Sequence, residues 1–355
     1  MCNKTLITPP ENQNKVKRIL FIDVAKAICI ILVVIGHYIP DNSPDWYVAV
    51  HDIIYTFHMP LFMFASGYVY IATVKDIPYG QFILKKVRRL MVPYFTTSII
   101  VISIKILTEG SMSVDNPVTA ASYLRMFYYP EAGYFLWFIW ALWWMFVIIP
   151  LLGTRSARLA LFFIGLVLHY TPLPLTDIFC LAQFKNMFVF FMLGVIAFEH
   201  VWLHSFIKDL NIKQSVVIVA LFVVCQYIRF GAEEQGTIIS VINILLPYLG
   251  ILFIIEISKL WCHIAMLNKK STILLVSASS YIIYLFHTTF EGFAKAVCRK
   301  LPFDSDLWYV FVPEALAVIT CGVVVPIILS RCSSDIRLQR FCSGYDRSLY
   351  PFPCN

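Results

Sequence analysis

The chain has 355 residues, of which 59% are hydrophobic and only 14% charged. A soluble domain carries about 25% charged residues, so too little polar surface is left here to cover a water-soluble globule. Secreted disulfide scaffolds, nucleic-acid modules and disordered tails are excluded, and the net charge of +7 has to be read by position, because basic residues mark the cytoplasmic side of membrane proteins.

A membrane-crossing helix needs about 20 mostly apolar residues. That criterion predicts an all-α, polytopic membrane protein with about ten transmembrane helices, at 20–39, 51–72, 91–108, 134–152, 157–170, 179–198, 215–230, 238–257, 273–294 and 308–330. The fifth is the shortest. Residues 1–18 read as a cytoplasmic N-terminal tail, 19–330 as one transmembrane domain and 331–355 as a cytoplasmic C-terminal tail. With the N-terminus inside, the cytoplasmic segments hold 20 Lys and Arg residues and the external ones five, which places both termini in the cytoplasm. Lys295, Arg299 and Lys300 form the exception, a basic cluster on the outer side. The ten cysteines include no C-x-x-C pair. They read as reduced thiols, and no metal site is expected.

The first helix, FIDVAKAICIILVVIGHY, carries Asp23, Lys26 and His37. At about 100° per residue these three fall within roughly 40° of one another, on a stripe that must face the bundle interior. Lys26 lies near the cytoplasmic end and His37 about 16 Å further along the axis. An Asp23–Lys26 ion pair and a snorkelling lysine explain the lower end, but not a histidine on the same stripe. In the second helix His51, Tyr55 and His58 recur on one face. His51 and Asp52 read as interfacial, whereas His58 lies about two turns deeper, next to a kink expected at Pro60. Small residues at Gly36, Ala65, Ser66 and Gly67 are expected to leave room around the two histidines.

The stretch FILKKVRRLMVPYF sets Lys85, Lys86, Arg88 and Arg89 before the third helix. Cytoplasmic anchoring is the simpler reading; an anion site for a phosphorylated ligand is the other. The run LWFIWALWWMF in the fourth helix is a membrane belt and packing surface, with Tyr134 and Trp137 placed to stack on a sugar ring. In the sixth span Lys185 is expected to pair with Asp177 or to snorkel. His169, His200, His204 and His263 read as interfacial. The ninth span, SYIIYLFHTTFEGF, brings Tyr284, His287 and Glu291 onto one face, where the carboxylate can orient the histidine.

In their order these segments resemble the acyltransferase type 3 family of membrane O-acyltransferases, above all its fucose 4-O-acetylase-like and polysaccharide-adhesin O-acyltransferase-like branch. FIDVAKAICIILVVIGHY, FHMPLFMFASGY, FILKKVRRLMVPY, YFLWFIWAL, FVFFMLGVIAF and YIIYLFHTTF carry the resemblance. The family's basic residue followed, after ten positions, by a histidine falls on Lys26 and His37. Its R-x-x-R pattern falls on Lys86 and Arg89. Lysine replaces the usual arginine at both first positions, which keeps the charge and loses the bidentate fork.

The resemblance implies an enzyme that transfers an acyl group other than aminoacyl, acetyl above all, from acyl-CoA to a hydroxyl of a surface glycan or lipid-linked sugar, in the cytoplasmic membrane. Lys26, Lys86 and Arg89 would hold the phosphates of the donor, acetyl-CoA. His37 would act as general base, with His58 and His287 beside it as catalytic groups. Glu291, Tyr284 and Trp137 would bind acceptor, and Asp23 would position Lys26. No permanently bound cofactor and no nucleic acid are implied. Membrane lipids are partners, and so is a separate glycan-assembly protein if this chain does not finish the transfer itself. A transporter or flippase of a glycolipid or small anion is the competing reading, since polar stripes serve both.

Overall fold

A computed structural model describes residues 19–41, 43–74, 77–108, 117–231, 236–264, 271–300 and 308–332. The residues expected to form the two terminal tails lie almost wholly outside these ranges. Among the described residues the secondary structure is helical throughout, with no strand. In chain order the helices are α1 Leu20–His37, α2 Asp45–Tyr55, α3 His58–Thr73, α4 Tyr79–Lys86, α5 Val92–Leu107, α6 Ser122–Arg125, α7 Trp137–Ile148, α8 Arg155–Tyr170, α9 Leu181–Glu199, α10 Val201–Lys208, α11 Ile212–Gly231, α12 Thr237–Ile264, α13 Thr272–Cys298 and α14 Trp308–Cys332. Nine segments among the described residues are long and apolar enough to cross a membrane, counting Asp45–Thr73 and Tyr79–Leu107 as one each.

The fifth predicted span, which is not among these nine, forms α8, which has 16 residues and is about 24 Å long at 1.5 Å per residue. It runs antiparallel to α9 and is tied to it at both ends. Arg158 pairs with Glu199 at 2.5 Å, and the His169 ring is 2.7 Å from the Asn186 carbonyl. Within a hydrocarbon layer of about 30 Å, α8 therefore covers most of the depth.

The second predicted span is two helices. α2 stops at Tyr55 and α3 restarts at His58. Pro60 is the physical cause. In an unbroken helix its ring would clash with the carbonyl four residues back, that of Thr56, and the chain breaks at Thr56 and Phe57. Pro60 then occupies the first turn of α3, where a missing N–H is harmless. Between α4 and α5 the helix widens into a π-helical turn over Val87–Met91, which carries Arg88 and Arg89 just before Pro93.

α1 runs through the middle of the bundle, packed against α3, α12 and α13. Its partner-facing residues Ile22, Ile30, Val33 and Val34 are at most 1% exposed. α3 and α9 make the tightest crossing, and glycines at both contact points allow it. A Cβ on Gly67 would lie 2.0 Å from the Phe191 carbonyl oxygen, and one on Gly194 would lie 2.0 Å from that of Phe64. Small residues let helix backbones approach in this way where no hydrophobic force drives them together. Gly67 thus serves helix packing rather than leaving room near His58. Gly36 likewise gives its space to Tyr55, whose ring is 2.9 Å from where a Cβ would stand and whose hydroxyl donates to the Gly36 carbonyl at 3.2 Å.

Ahead of α9, Phe179 and Cys180 take left-handed backbone angles (φ 54° and 53°), which costs roughly 1–2 kcal/mol for each non-glycine residue. Trp144 Nε1 donates to the Phe179 carbonyl at 3.0 Å, and the Phe179 N–H donates to the Tyr128 carbonyl at 2.6 Å. These bonds hold the loop before α9 against the one that leads into α7.

Candidate active site

The polar stripe of α1 faces α13. At one end Ser277 Oγ donates to Asp23 Oδ1 at 3.5 Å. At the other, the His37 and His287 rings stand 5.0 Å apart, tilted by 55°. α13 is also tied to the basic turn, because Tyr281 donates to the Leu90 carbonyl at 3.2 Å. The start of α1, the π-helical turn and the first half of α13 therefore share one end of the bundle. The C-termini of α1, α5 and α13 share the other. Lys26, Lys86 and Arg89 belong to the first end; His37, His287 and Glu291 belong to the second.

His287 is fully buried. Its Nδ1 is 2.9 Å from the Tyr284 carbonyl and 3.1 Å from that of Ile283. A nitrogen facing two carbonyls carries the proton, so in the neutral ring Nε2 holds the lone pair. Nε2 is buried with no hydrogen-bond partner. Glu291 therefore does not orient His287 through a hydrogen bond, contrary to the expectation from their spacing. The backbone of the preceding turn performs that role. Glu291 is 2% exposed, and its Oε1 lies 3.1 Å from where a Gly322 Cβ would stand, so its carboxyl reaches towards α14.

His58 is 4% exposed, and its Nδ1 is 2.9 Å from the Ile54 carbonyl. That carbonyl also accepts from the Phe57 N–H at 3.2 Å, so the His58 ring is its second partner where the chain breaks. Its Nε2 is thereby left as the acceptor. The ring of Tyr55 stands between two histidines, 4.1 Å from His51 and 4.7 Å from His58. Tyr284 donates its hydroxyl to the Phe135 carbonyl, so that hydroxyl serves the fold before any ligand.

Two cavities meet at His37. One, of about 360 Å³, is lined by His37, Tyr55, His58, Phe135, Trp137, Tyr284 and, on the far wall, His169, Met187, Phe190 and Pro247. The other, of about 540 Å³, is lined by His37, Tyr55, Tyr134, Phe135, Trp137, Thr288, Thr289, Glu291 and three basic residues, Lys105, Lys295 and Arg299. His37, Tyr55, Phe135 and Trp137 are common to both. His287 lines neither. Lys26, Lys86 and Arg89 line neither as well. Lys86 instead sets its ammonium 3.4 Å from the centre of the Phe146 ring and 5.3 Å from that of Phe82, a cation–π pocket formed by α4 and α7. Arg89 is exposed.

Phe135 and Tyr55 were not anticipated as site residues. Phe135 packs 5.9 Å from His37 and 5.2 Å from His287, closing the gap between them. The only signal in the sequence is its place at the start of the fourth span. His169, read as interfacial, reaches a cavity wall. Lys185 donates to the Leu173 carbonyl at 3.1 Å, while Asp177 accepts from Gln183. The Lys185–Asp177 pairing expected from the sequence gives way to these two bonds.

A half-buried histidine at the junction of two cavities, flanked by two histidines with fixed tautomers, is suited to moving a proton from a bound hydroxyl. The family profile described as "Acyltransferase domain" matches residues 19–331, which spans α1 to α14 and every residue of this site. No curated protein sequence and no solved structure matches the chain. The order of its motifs and the extent of that match place the chain in the acyltransferase type 3 family, as a multi-pass membrane acyltransferase.

Proposed function

We propose that this acyltransferase takes an acetyl group from acetyl-CoA and places it on a hydroxyl of a surface carbohydrate or lipid-linked sugar, in the cytoplasmic membrane, with His37 as general base. The observation that carries this reading is the position of His37 where the two cavities join. A donor arm and an acceptor can approach one imidazole from separate sides, as a bimolecular transfer requires.

In the transfer, the hydroxyl oxygen attacks the thioester carbonyl while His37 takes its proton. Collapse of the tetrahedral intermediate breaks the carbon–sulfur bond, and the proton returns to the leaving thiolate. Acyl ester and free CoA are the products. Because His287 lies beneath the site, it acts as a positioning residue. Its Nε2 has no hydrogen-bond partner and its ring stands 5.0 Å from that of His37, so an N–H of His37 is the donor it can take, leaving the other His37 nitrogen for substrate. His58, with its Nε2 towards the smaller cavity, is the group placed nearest an incoming thioester on that side. Trp137 offers a flat face to a sugar from either cavity.

The donor's phosphates are best matched by the end of the bundle that holds Lys26, Lys85, Arg88 and Arg89. The positive-inside distribution of the chain assigns that end to the cytoplasm. Lys26 and His37 are eleven residues apart, about 16 Å along α1, a span comparable to an extended pantetheine arm. Asp23 supports Lys26 from the preceding turn. Lys86, held over Phe146, contributes through charge and packing rather than as a reaching ligand.

The test is transfer of radiolabelled acetyl from acetyl-CoA to glycan by the full-length protein in detergent. Label on glycan that disappears in His37→Ala supports the reading. Release of CoA without glycan label, or full transfer by His37→Ala, defeats it. Mass spectrometry of the host's surface glycans after gene deletion, read for one missing ester mass, names the acyl group and polymer together.

A further inference from the structure

The basic cluster at the end of α13 holds three of the five basic residues assigned to the outer side, and the structure gives it a place. Lys295 and Arg299, one turn apart, line the 540 Å³ cavity, and Lys105 of α5 lines it from another helix. Lysines and arginines at the ends of spans ordinarily snorkel outward to lipid headgroups. A position in the last turn of a helix favours a cation through the helix dipole, but it does not require three cations to line one cavity. Gathered around a single space beside a low-dielectric interior, basic side chains set a positive potential there that favours the entry of an anion. Among the residues lining this cavity one carboxyl is present, that of Glu291, which is buried, reaches towards Gly322 and lies within electrostatic range of Lys295, so the lining cations outnumber the carboxyl by three to one. The Lys295 ammonium is held 5.1 Å over the Tyr38 ring, so it has a fixed station.

We infer that this cavity takes an anionic acceptor: a sugar bearing a carboxylate or phosphate that Lys105, Lys295 and Arg299 hold, while a neighbouring hydroxyl points inward to His37. The inference rests on the acyltransferase reading for the role of His37, but the anion site stands on the cavity alone. Thr288 and Thr289 line the same space and offer hydrogen bonds to sugar hydroxyls. The shared chemistry is a sugar-borne anion, whether a uronic acid within a polymer or the phosphate that links a sugar to its carrier.

The experiment is equilibrium binding to the full-length protein in detergent, with no donor present. Its probes are tetragalacturonate, its carboxyl-reduced neutral counterpart, glucose 1-phosphate and CoA. An anionic sugar is expected to bind about tenfold more tightly than the neutral one, with the difference shrinking between about 50 and 300 mM salt. Arg299→Gln and Lys295→Gln are expected to weaken it by about three- to tenfold each. Lys300→Gln, which removes the same charge from an exposed residue that does not line the cavity, leaves it unchanged. Preference for the uronate or for the phosphate identifies the source of the anion, and either supports the inference. Equal binding of the neutral sugar, or equal losses in all three variants, overturns it. So does binding of CoA alone that falls in Lys295→Gln and Arg299→Gln. Anion binding that survives in a protein with no transferase activity would count against the role of His37 and not against the anion site.

Discussion

The imidazoles of His37 and His287 face each other 5.0 Å apart, one lining both cavities and the other sealed from them. The second is fixed by two carbonyls of its own helix, so its free nitrogen can only receive. That asymmetry is the basis of the proposed division of labour, in which His37 meets substrate and His287 positions it.

His37→Ala is expected to lower acetyl transfer by about 10²–10⁴-fold, the range for loss of a general base. The protein should still fold, because the ring borders open space on both sides. Transfer kinetics alongside a thermal unfolding curve check both halves.

His287→Leu is expected to lower kcat by about 10- to 100-fold with little change in KM for donor or acceptor, since the residue lines neither cavity. His287→Gln keeps a hydrogen-bond acceptor at that depth and should recover most of the loss. A variant that merely loosens the fold would raise KM and would not distinguish Gln from Leu, so the kcat and KM split decides the assignment.

Gly67→Ala is expected to destabilise the α3–α9 crossing by at least about 1–3 kcal/mol, because backbone rather than a movable side chain stands 2.0 Å from the new Cβ. Gly80→Ala, at a helical position where nothing lies within 4 Å, should be neutral or slightly stabilising. Comparing the two variants' unfolding midpoints in one detergent isolates the crossing.

Arg158 and Glu199, 15% and 6% exposed, join the start of α8 to the end of α9. Glu199→Gln should cost about 2–4 kcal/mol by leaving the guanidinium without its charge partner, and the Arg158→Met, Glu199→Met pair should recover part of it. A double-mutant cycle on detergent unfolding measures the coupling. A coupling near zero would mean that packing alone holds α8 in place.

Much of the architecture is legible in the sequence. A run of about 20 apolar residues can satisfy its backbone in lipid only as a helix, so the helical class and the order of the spans follow from composition, while nine of the ten expected spans meet the length and apolarity criterion among the described residues. The stripe of Asp23, Lys26 and His37 follows from helical periodicity, and the structure turns it towards α13. The family follows from the order of the motifs. The break at Thr56 and Phe57 was signalled by Pro60, although its exact place depends on which carbonyl the ring meets.

What a sequence could not decide was which partners meet across helices. Periodicity put Glu291 beside His287 on α13, but two backbone carbonyls lay closer to the ring than any carboxylate, and Glu291 turned towards the gap left by Gly322 on α14. Gly36 and Gly67 looked like space for a substrate and were filled by Tyr55 and by the backbone of α9. Phe135 entered the site because a loop folded over α13, a contact between residues roughly 150 positions apart that no local pattern encodes. The sequence by itself determined the helices and the face each one buries, because both depend on the neighbours along the chain and on the solvent around it. The tertiary structure alone decided that His37 joins two cavities and that Lys105, Lys295 and Arg299 surround one of them, because packing fixes where distant helices leave room.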